Sequence, residues 1–479
     1  MILNGKIYIQ RILVLLSIFF LYVDVQAKQG THFVIQGDNL FLVDPDTHKE
    51  SPLAVSKVIV TAHDGLLFVN KKQLRLPLVI IKSATDIIRC NNKHVSRAII
   101  ISYMRDGTCS CVSYTPIVSK QKASACIVKV LLDEKKNTES VAWQITSKKK
   151  ITITHHHTKQ TITTERPSLM IELKKGVLYF NKKKCMGSVF MIASGDNHLA
   201  LNGTVYHGAL LITHYKDTFC LVNYVPLEEY LYSVLHSESW PGWPLEVNKA
   251  FAITSRSYVI AMIMQSKKSN RPYHVKNSNI HQTYRGVHDK KALKDAVQQT
   301  EGVFLVYNDV PITAMFDSCC GGIIPSRIQD GIDFKKAPYL ARSYACNYCK
   351  KCKIFNWQAE IEGDTFMRRL IPKALPKERF KSCKIIKKDP AGLVQEALIY
   401  SSRSTYSVTG KQIYTACKEV KSFCFTMTNS SRKLLLKGKG YGHHIGLCQW
   451  GAREMVNQGW DYISILQFYY PGTSFMRLS

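Results

Sequence analysis

From residue 31 to about residue 165 the chain is a succession of short β-branched runs, "KVIVTA", "LPLVIIK", "RAIIISYM", "CIVKVLL" and "AWQITS", each closed by a polar turn. Such runs are too short for helices and carry the residues that fit a pleated surface, so they predict strands. Strands resume at Ser168 with "SLMIEL", "GVLYFN" and "GSVFMIAS", and "YHGALLITHYKDTFCLVNYVPLEEYL" reads as a hairpin, a strand and a turn into a helix. The period then changes. Pro241 and Pro244 precede a helical stretch, with Pro244 suited to its first position. A second helix runs to Thr300 and stops at Gly302. The pair Asn308-Asp309 then turns one strand into the next. Residues 353 to about 430 read as irregular and lysine-rich, and a last helix starts near Gln449.

The fold class expected is α+β: a strand-rich N-terminal region followed by a mixed α/β catalytic core with a cysteine- and lysine-rich insertion. The predicted domains are residues 28–165, with "HHHTKQTITTERP" from His155 as an exposed boundary linker, and residues 166–479, with the insertion at about 345–430. Ahead of them, Lys6 and Arg11 precede the apolar run Ile12 to Tyr22 and the small-residue pattern Val25-Gln26-Ala27. That is the form of a secretory signal peptide, residues 1–27, and the run is short for a membrane span. The protein is expected to be exported, to a periplasm or the outer face of a cytoplasmic membrane, with a retained N-terminal anchor as the alternative.

Export changes the meaning of the charge and the cysteines. The 479 residues carry 65 Lys and Arg against 35 Asp and Glu, a formal net charge of +30. Such an excess favours an anionic polymer, nucleic acid or an anionic membrane surface as partner. The lysines are dispersed and no nucleic-acid-binding signature is present, so nucleic acid is not expected. The 15 cysteines of an exported chain read first as disulfides. The run "CNYCKKC", Cys346 to Cys352, has spacing that can ligate zinc or iron. It lacks a second such pair or a histidine pair nearby, so disulfides with Cys319, Cys320 or Cys383 are expected, with at least one thiol left over.

One stretch stands out chemically: "HSESWPGWPLEVNKAFAITSRSYVIAM". Glu238 lies two residues before Trp240 and five before Trp243, whose faces suit sugar rings and whose apolar bulk suits a general acid. Lys249 and Arg256 are two helical turns apart and fall on nearly one face. The reading without function is a solvated carboxylate and two surface charges on an amphipathic helix.

Six pieces occurring in order across about residues 170–475 resemble one family, the bacterial stage II sporulation protein D and amidase-enhancer family. They are "VNYVPLEEYLYSVLHSE", "PLEVNKAFAITSRSY", "HQTYRGV", "TEGVFLVYNDVPITAMFDSCCGG", "APYL" and "GYGHHIGLCQWGA", with the closing "ILQFYYPGT". The resemblance implies a lytic transglycosylase that cuts peptidoglycan strands stripped of stem peptides. It makes Glu238 the catalytic residue. It makes Lys249, Arg256, Gln282, Tyr284, Ser318, Gly321, Gly322, Tyr441, His443 and Gln449 the substrate-binding candidates. The sequence departs from the family pattern in "ESWP", in His444 where a glycine is usual, and in Cys448 where a serine is usual. Some relatives bind zinc through a histidine and two cysteines just before Gln-x-Tyr. Here "YHVKNSNIHQTY" has His274 and His281 without a cysteine, so no metal and no cofactor are expected.

The implied chemistry needs one carboxylate. Glu238 would protonate the glycosidic oxygen and then take the proton of the sugar's own C6 hydroxyl, so no second base is required, unlike the two-carboxylate glycosidases. Lys249 and Arg256 would pair with the lactyl carboxylates that peptide removal exposes. If Asp317 faced Glu238 across a groove, hydrolysis would replace the lytic reaction. The partners expected are peptidoglycan glycan strands and, from the amidase-enhancer name, a cell-wall amidase. A non-catalytic wall-binding protein that recruits an amidase is the alternative reading.

Overall fold

Ile127–Lys136 pairs antiparallel along its whole length with Thr218–Pro226, which fixes where the second half of the molecule begins. A computed structural model describes residues 126–478 except 268, 330 and 376, and before them the strand segments between residues 32 and 119. The chain divides into two compact units, Met1–Thr115 and Pro116–Ser479. The first consists of two antiparallel sheets, of six and five strands. The unit boundary therefore falls ahead of the 165/166 division drawn from sequence. The polar "HHHTKQTITTERP" is not a linker, because Ile151–His155 and Thr161–Thr163 form a hairpin within a sheet of the second unit. The proposed signal segment lies outside the described residues. Among those residues no helix is long and apolar enough to cross a membrane.

The second unit is α+β, as expected. A seven-stranded sheet runs in the order Thr161–Thr163, Ile151–His155, Phe190–Ser194, Ala209–Tyr215, Thr218–Pro226, Ile127–Lys136, Val275–Lys276. A six-stranded antiparallel sheet centres on Ser168–Lys174 and Val141–Thr146. Alternation along Ser168–Lys174 buries Leu169, Ile171 and Leu173, as the two-residue period of a strand requires. Each such side chain contributes about 1.5–3 kcal/mol by leaving water. Trp143, opposite Ile171 on the neighbouring strand, is buried and its indole N–H donates to Asp133 at 2.9 Å, so its polar end is satisfied.

Seven helices occur among the described residues: α1 Leu227–Glu238, α2 Leu245–Ser266, α3 Lys291–Gln299, α4 Gly363–Leu370, α5 Gly410–Ala416, α6 Gln449–Asn457 and α7 Tyr462–Tyr469. Pro244 is the N-cap of α2 and not its first residue. Helix α2 is buried on most of its circumference, from Val247 to Ala261, so it is a central helix and not the amphipathic surface helix its two cations suggested. The stop at Gly302 (φ 71°) and the turn at Asn308 and Asp309 (φ 50° and 60°) are as the sequence predicts.

The region read as irregular is an ordered module. Asn356–Glu362, Lys433–Lys439 and Phe425–Ser430 form one three-stranded sheet, and Phe380–Lys388, Val394–Ser401 and Thr405–Thr409 another. They enclose a core that includes Phe366, Met367, Ile399, Val408, Ile413 and Leu434. A capping box between Thr409 and Gln412 starts α5. The lysines of "FKSCKIIKK" lie mainly on the exposed side of their strand, which is why the strand reads as a polar loop.

Candidate active site

Helix α1 begins where the strand Thr218–Pro226 ends, with Glu228 and Glu229 in a first turn that favours negative charge. Glu228 receives Arg256 from α2 through two hydrogen bonds, Nε to Oε1 at 2.9 Å and Nη2 to Oε2 at 2.6 Å. The Arg256 guanidinium also donates to the carbonyls of Val303 and Val297, and its side chain is fully buried. Arg256 therefore ties α1, α2, α3 and the strand Val303–Tyr307 together and has no access to a substrate. This corrects its assignment as a carboxylate-binding residue. Lys249 does not share an open face with it. The Lys249 ammonium pairs with Glu246 at 2.7 Å and lies over the Tyr462 ring.

Glu238 is the last residue of α1 and is half-buried. Its Oε1 accepts the backbone N–H of Thr283 at 2.7 Å, and its carbonyl accepts the side-chain N–H of Gln449 at 2.6 Å. The Gln-x-Tyr motif explains the first contact. Gln282 is fully buried, accepting from the Tyr230 hydroxyl at 3.0 Å and donating to the Ser255 carbonyl. Tyr284 is buried too. It stacks on Tyr230 and donates its hydroxyl to Asn223 at 2.7 Å, and burial pushes its phenol well above the usual range. Both side chains point into the core, so they position the N–H of Thr283 and do not themselves bind glycan, a second correction.

The loop after Glu238 is pinned by Asn248, a fully buried residue of α2 that accepts from Ser239 at 2.7 Å and donates to the Trp243 carbonyl. Trp240 is half exposed and stacks on Trp243 (centroids 6.0 Å apart), and Trp243 meets Trp450 edge to face at 5.3 Å. The Arg453 guanidinium lies 5.5 Å from the Trp243 ring and 5.1 Å from the Trp450 ring. Thr283, Asn248, Trp450 and Arg453 were not singled out from sequence. Thr283, Asn248 and Trp450 lay inside quoted motifs and Arg453 just beyond one, but nothing in their spacing pointed to Glu238 or Trp243.

The remaining candidates belong to loops that meet beside α6. Phe316–Asp317 pairs parallel with Leu447–Cys448, and Cys319 pairs with Tyr441. The Ser318 carbonyl accepts the Trp450 N–H at 3.1 Å, bringing Ser318 next to Gln449. Gly321 has φ 61°, and a Cβ there would fall 2.8 Å from the Gly440 nitrogen. Gly322 also has a positive φ. His443 accepts the Ile445 N–H on Nδ1, and desolvation lowers its pKa to about 4, so it is neutral at pH 7. His444 takes φ 70°, which explains why a glycine suits this position. Its N–H donates to Asp317 at 2.7 Å and its Nδ1 bonds the Cys320 carbonyl at 2.9 Å. Asp317 is buried, and that desolvation raises its pKa well above the carboxylate range. It is packed under the His444 backbone and does not face an open groove.

The histidines before Gln-x-Tyr are engaged with backbone. Nδ1 of His274 accepts from Lys129 at 3.1 Å and Nδ1 of His281 from Lys276 at 3.4 Å.

The family model described as "Stage II sporulation protein" matches residues 215–307. The chain is 30% identical over 292 residues to an uncharacterized protein of Brachyspira hyodysenteriae, an alignment covering 60% of this chain and 75% of that one. It is 25% identical over 273 residues to stage II sporulation protein D of Bacillus subtilis, covering 54% of this chain and 77% of that protein. The amidase enhancer of Bacillus subtilis is 25% identical over 290 residues, covering 51% of this chain and 40% of that protein. The chain belongs to the stage II sporulation protein D and amidase-enhancer family. The family match holds Glu228, Glu238, Arg256, Gln282 and Tyr284, that is, the carboxylate and the buried groups that fix it. Ser318, His443 and Gln449 lie beyond it, and Gln449 returns to Glu238 through the fold.

Proposed function

We propose that this protein is an exported, cell-wall-directed lytic transglycosylase that cleaves peptidoglycan strands with Glu238 as its acid and base. The observation that carries the reading is the setting of Glu238. Its carboxylate ends a helix, is held by one backbone N–H, and is followed directly by the Trp240–Trp243–Trp450 aromatic surface. Two other carboxylates near the family motifs are otherwise engaged, Glu228 by Arg256 and Asp317 by burial. A carboxylate set beside an aromatic surface suits a reaction that needs one acid.

In that reaction the protonated Glu238 gives its proton to the glycosidic oxygen as the C1–O bond breaks. The resulting oxocarbenium-like sugar is captured by its own C6 oxygen, whose proton returns to Glu238, and the product is a 1,6-anhydro ring. No water is consumed. With Arg256 occupied in the core, Arg453 is the cation placed beside the rings, and it is the proposed partner for the lactyl carboxylate of a denuded muramic unit.

The test is mass spectrometry of denuded glycan incubated with the purified protein. Anhydromuramyl ends are expected. Reducing ends that carry oxygen from labelled water would make the enzyme a hydrolase. Glycan binding with no new ends would favour the second reading, a wall-binding recruiter of an amidase, which the name of the amidase-enhancer relative suggests.

A further inference from the structure

Four buried cysteines that the family motifs do not account for converge in the second unit. The sulfurs of Cys320, Cys346, Cys349 and Cys448 all lie within 4.8 Å of one another. Cys349 is 3.7 Å from Cys320 and 3.9 Å from Cys346, sulfur to sulfur. A disulfide needs about 2.05 Å. Four thiolates around a tetrahedral ion at Zn–S of about 2.3 Å sit about 3.8 Å apart along each edge.

The surroundings are built for sulfur anions. Cys448 is the N-cap of α6, and its Sγ accepts the N–H of Gly451 and that of Cys320, each at 3.3 Å. The Tyr469 hydroxyl lies 3.2 Å from the sulfur of Cys346. A Cβ on Gly451 would come within 2.8 Å of the Cys346 sulfur, so a glycine is required where the cage meets the helix. Arg342 is buried and its Nε has no partner among the described residues. Its charge interacts with Cys320 and Cys346. Its other guanidinium nitrogens donate to the carbonyls of Tyr344 and Ile323, and its positive charge beside the sulfurs offsets part of the double negative charge of a divalent ion held by four thiolates.

We propose that Cys320, Cys346, Cys349 and Cys448 form a structural zinc site. Binding releases the four thiol protons and yields a closed tetrahedral centre with no open position for water, so the ion is structural and not catalytic. It fastens three segments: the Ser318–Gly322 loop, the start of the inserted module, and the residue directly before Gln449, whose side chain holds the Glu238 carbonyl. Cys319 and Cys352, with sulfurs 3.6 Å apart, stand beside the cage, and Cys319 also reaches Cys349 and Cys448. The proposal is independent of the reaction assigned to Glu238.

The experiment is elemental analysis of the full chain, purified in reducing buffer without a polyhistidine tag, followed by replacement with cobalt(II). One zinc per chain is expected, resistant to dialysis and released as a mercurial titrates the thiols. Cobalt should give the visible bands and thiolate charge-transfer absorption of a tetrahedral sulfur site. Cys349→Ser and Cys448→Ser should lose the ion, while Cys383→Ser, in the core of the inserted module, should keep it. Because wild-type metal content is read first, a variant that misfolds does not decide the outcome. Reduced protein that holds no zinc and takes up cobalt without sulfur bands overturns the proposal. So does peptide mapping that finds the four sulfurs paired as disulfides in the native protein.

Discussion

Glu238 is held from two sides by supports of different construction. On one side Thr283 is fixed by Gln282 and Tyr284, whose side chains are hydrogen-bonded inside a core of helices and strands knitted by Arg256. On the other side Gln449 follows Cys448, whose neighbours are sulfurs drawn from distant parts of the chain. The first support rests on packing, hydrogen bonds and the buried Arg256–Glu228 ion pair and is indifferent to redox state. The second lies beside four clustered cysteines and, with the proposed zinc bound, would respond to oxidants and chelators. A single carboxylate can thus be displaced by two unrelated kinds of damage, and the two are separable.

The largest effect expected isolates the carboxylate itself. Glu238→Gln keeps size and both supports but removes the transferable proton. Turnover should fall about a hundredfold to ten-thousandfold, with glycan binding and thermal stability nearly unchanged. Retention of more than about a tenth of turnover, against that range, removes Glu238 from the chemistry.

Next in size is Arg256→Met, aimed at the first support. Removing one partner of a buried pair leaves Glu228 uncompensated and should cost about 3–5 kcal/mol in a urea melt. Binding to denuded and peptide-bearing glycan should weaken equally. A loss confined to denuded glycan would return Arg256 to substrate recognition and undo the contrast with Arg453.

Tyr284→Phe should cost about 1–3 kcal/mol, because it leaves the buried Asn223 oxygen without its donor. Turnover should drop while metal content stays the same, measured on one preparation. Loss of metal in this variant would show that the two supports are not independent.

The smallest effect is with pH. His274 accepts a backbone N–H on Nδ1 and, mainly through desolvation, its pKa is lowered to about 4. The unfolded chain therefore binds the extra proton first. The stabilisation is complete above about pH 6.5 and is lost as pH falls toward 4. The thermal midpoint should decline across that window, and His274→Gln should flatten the decline. An unchanged slope would mean that other groups carry it.

Much of this was legible in the chain. The strand runs, the stop at Gly302, the hairpin turn at Asn308-Asp309 and the start of α6 follow from local rules, because turn and cap residues act over a few positions. The strands of the inserted module did not stand out, since lysines on their outer faces hide the alternation. Gln282 and Tyr284 were found as motif residues but their roles were misjudged. Motif order marks which residues matter and says nothing about which way a side chain points.

Sequence by itself determined the α+β character, the family motifs and the place of Glu238 among them, since each is written in contiguous residues. The tertiary structure alone decided that Arg256 is a core residue, because its partners Glu228, Val297 and Val303 reach it from three other elements. It also decided what the cysteines are. Cys346 and Cys349 of "CNYC" meet Cys320 and Cys448, which are 128 residues apart in the chain. A ligand set needs sulfurs within a few ångströms, and only folding brings residues at that separation together.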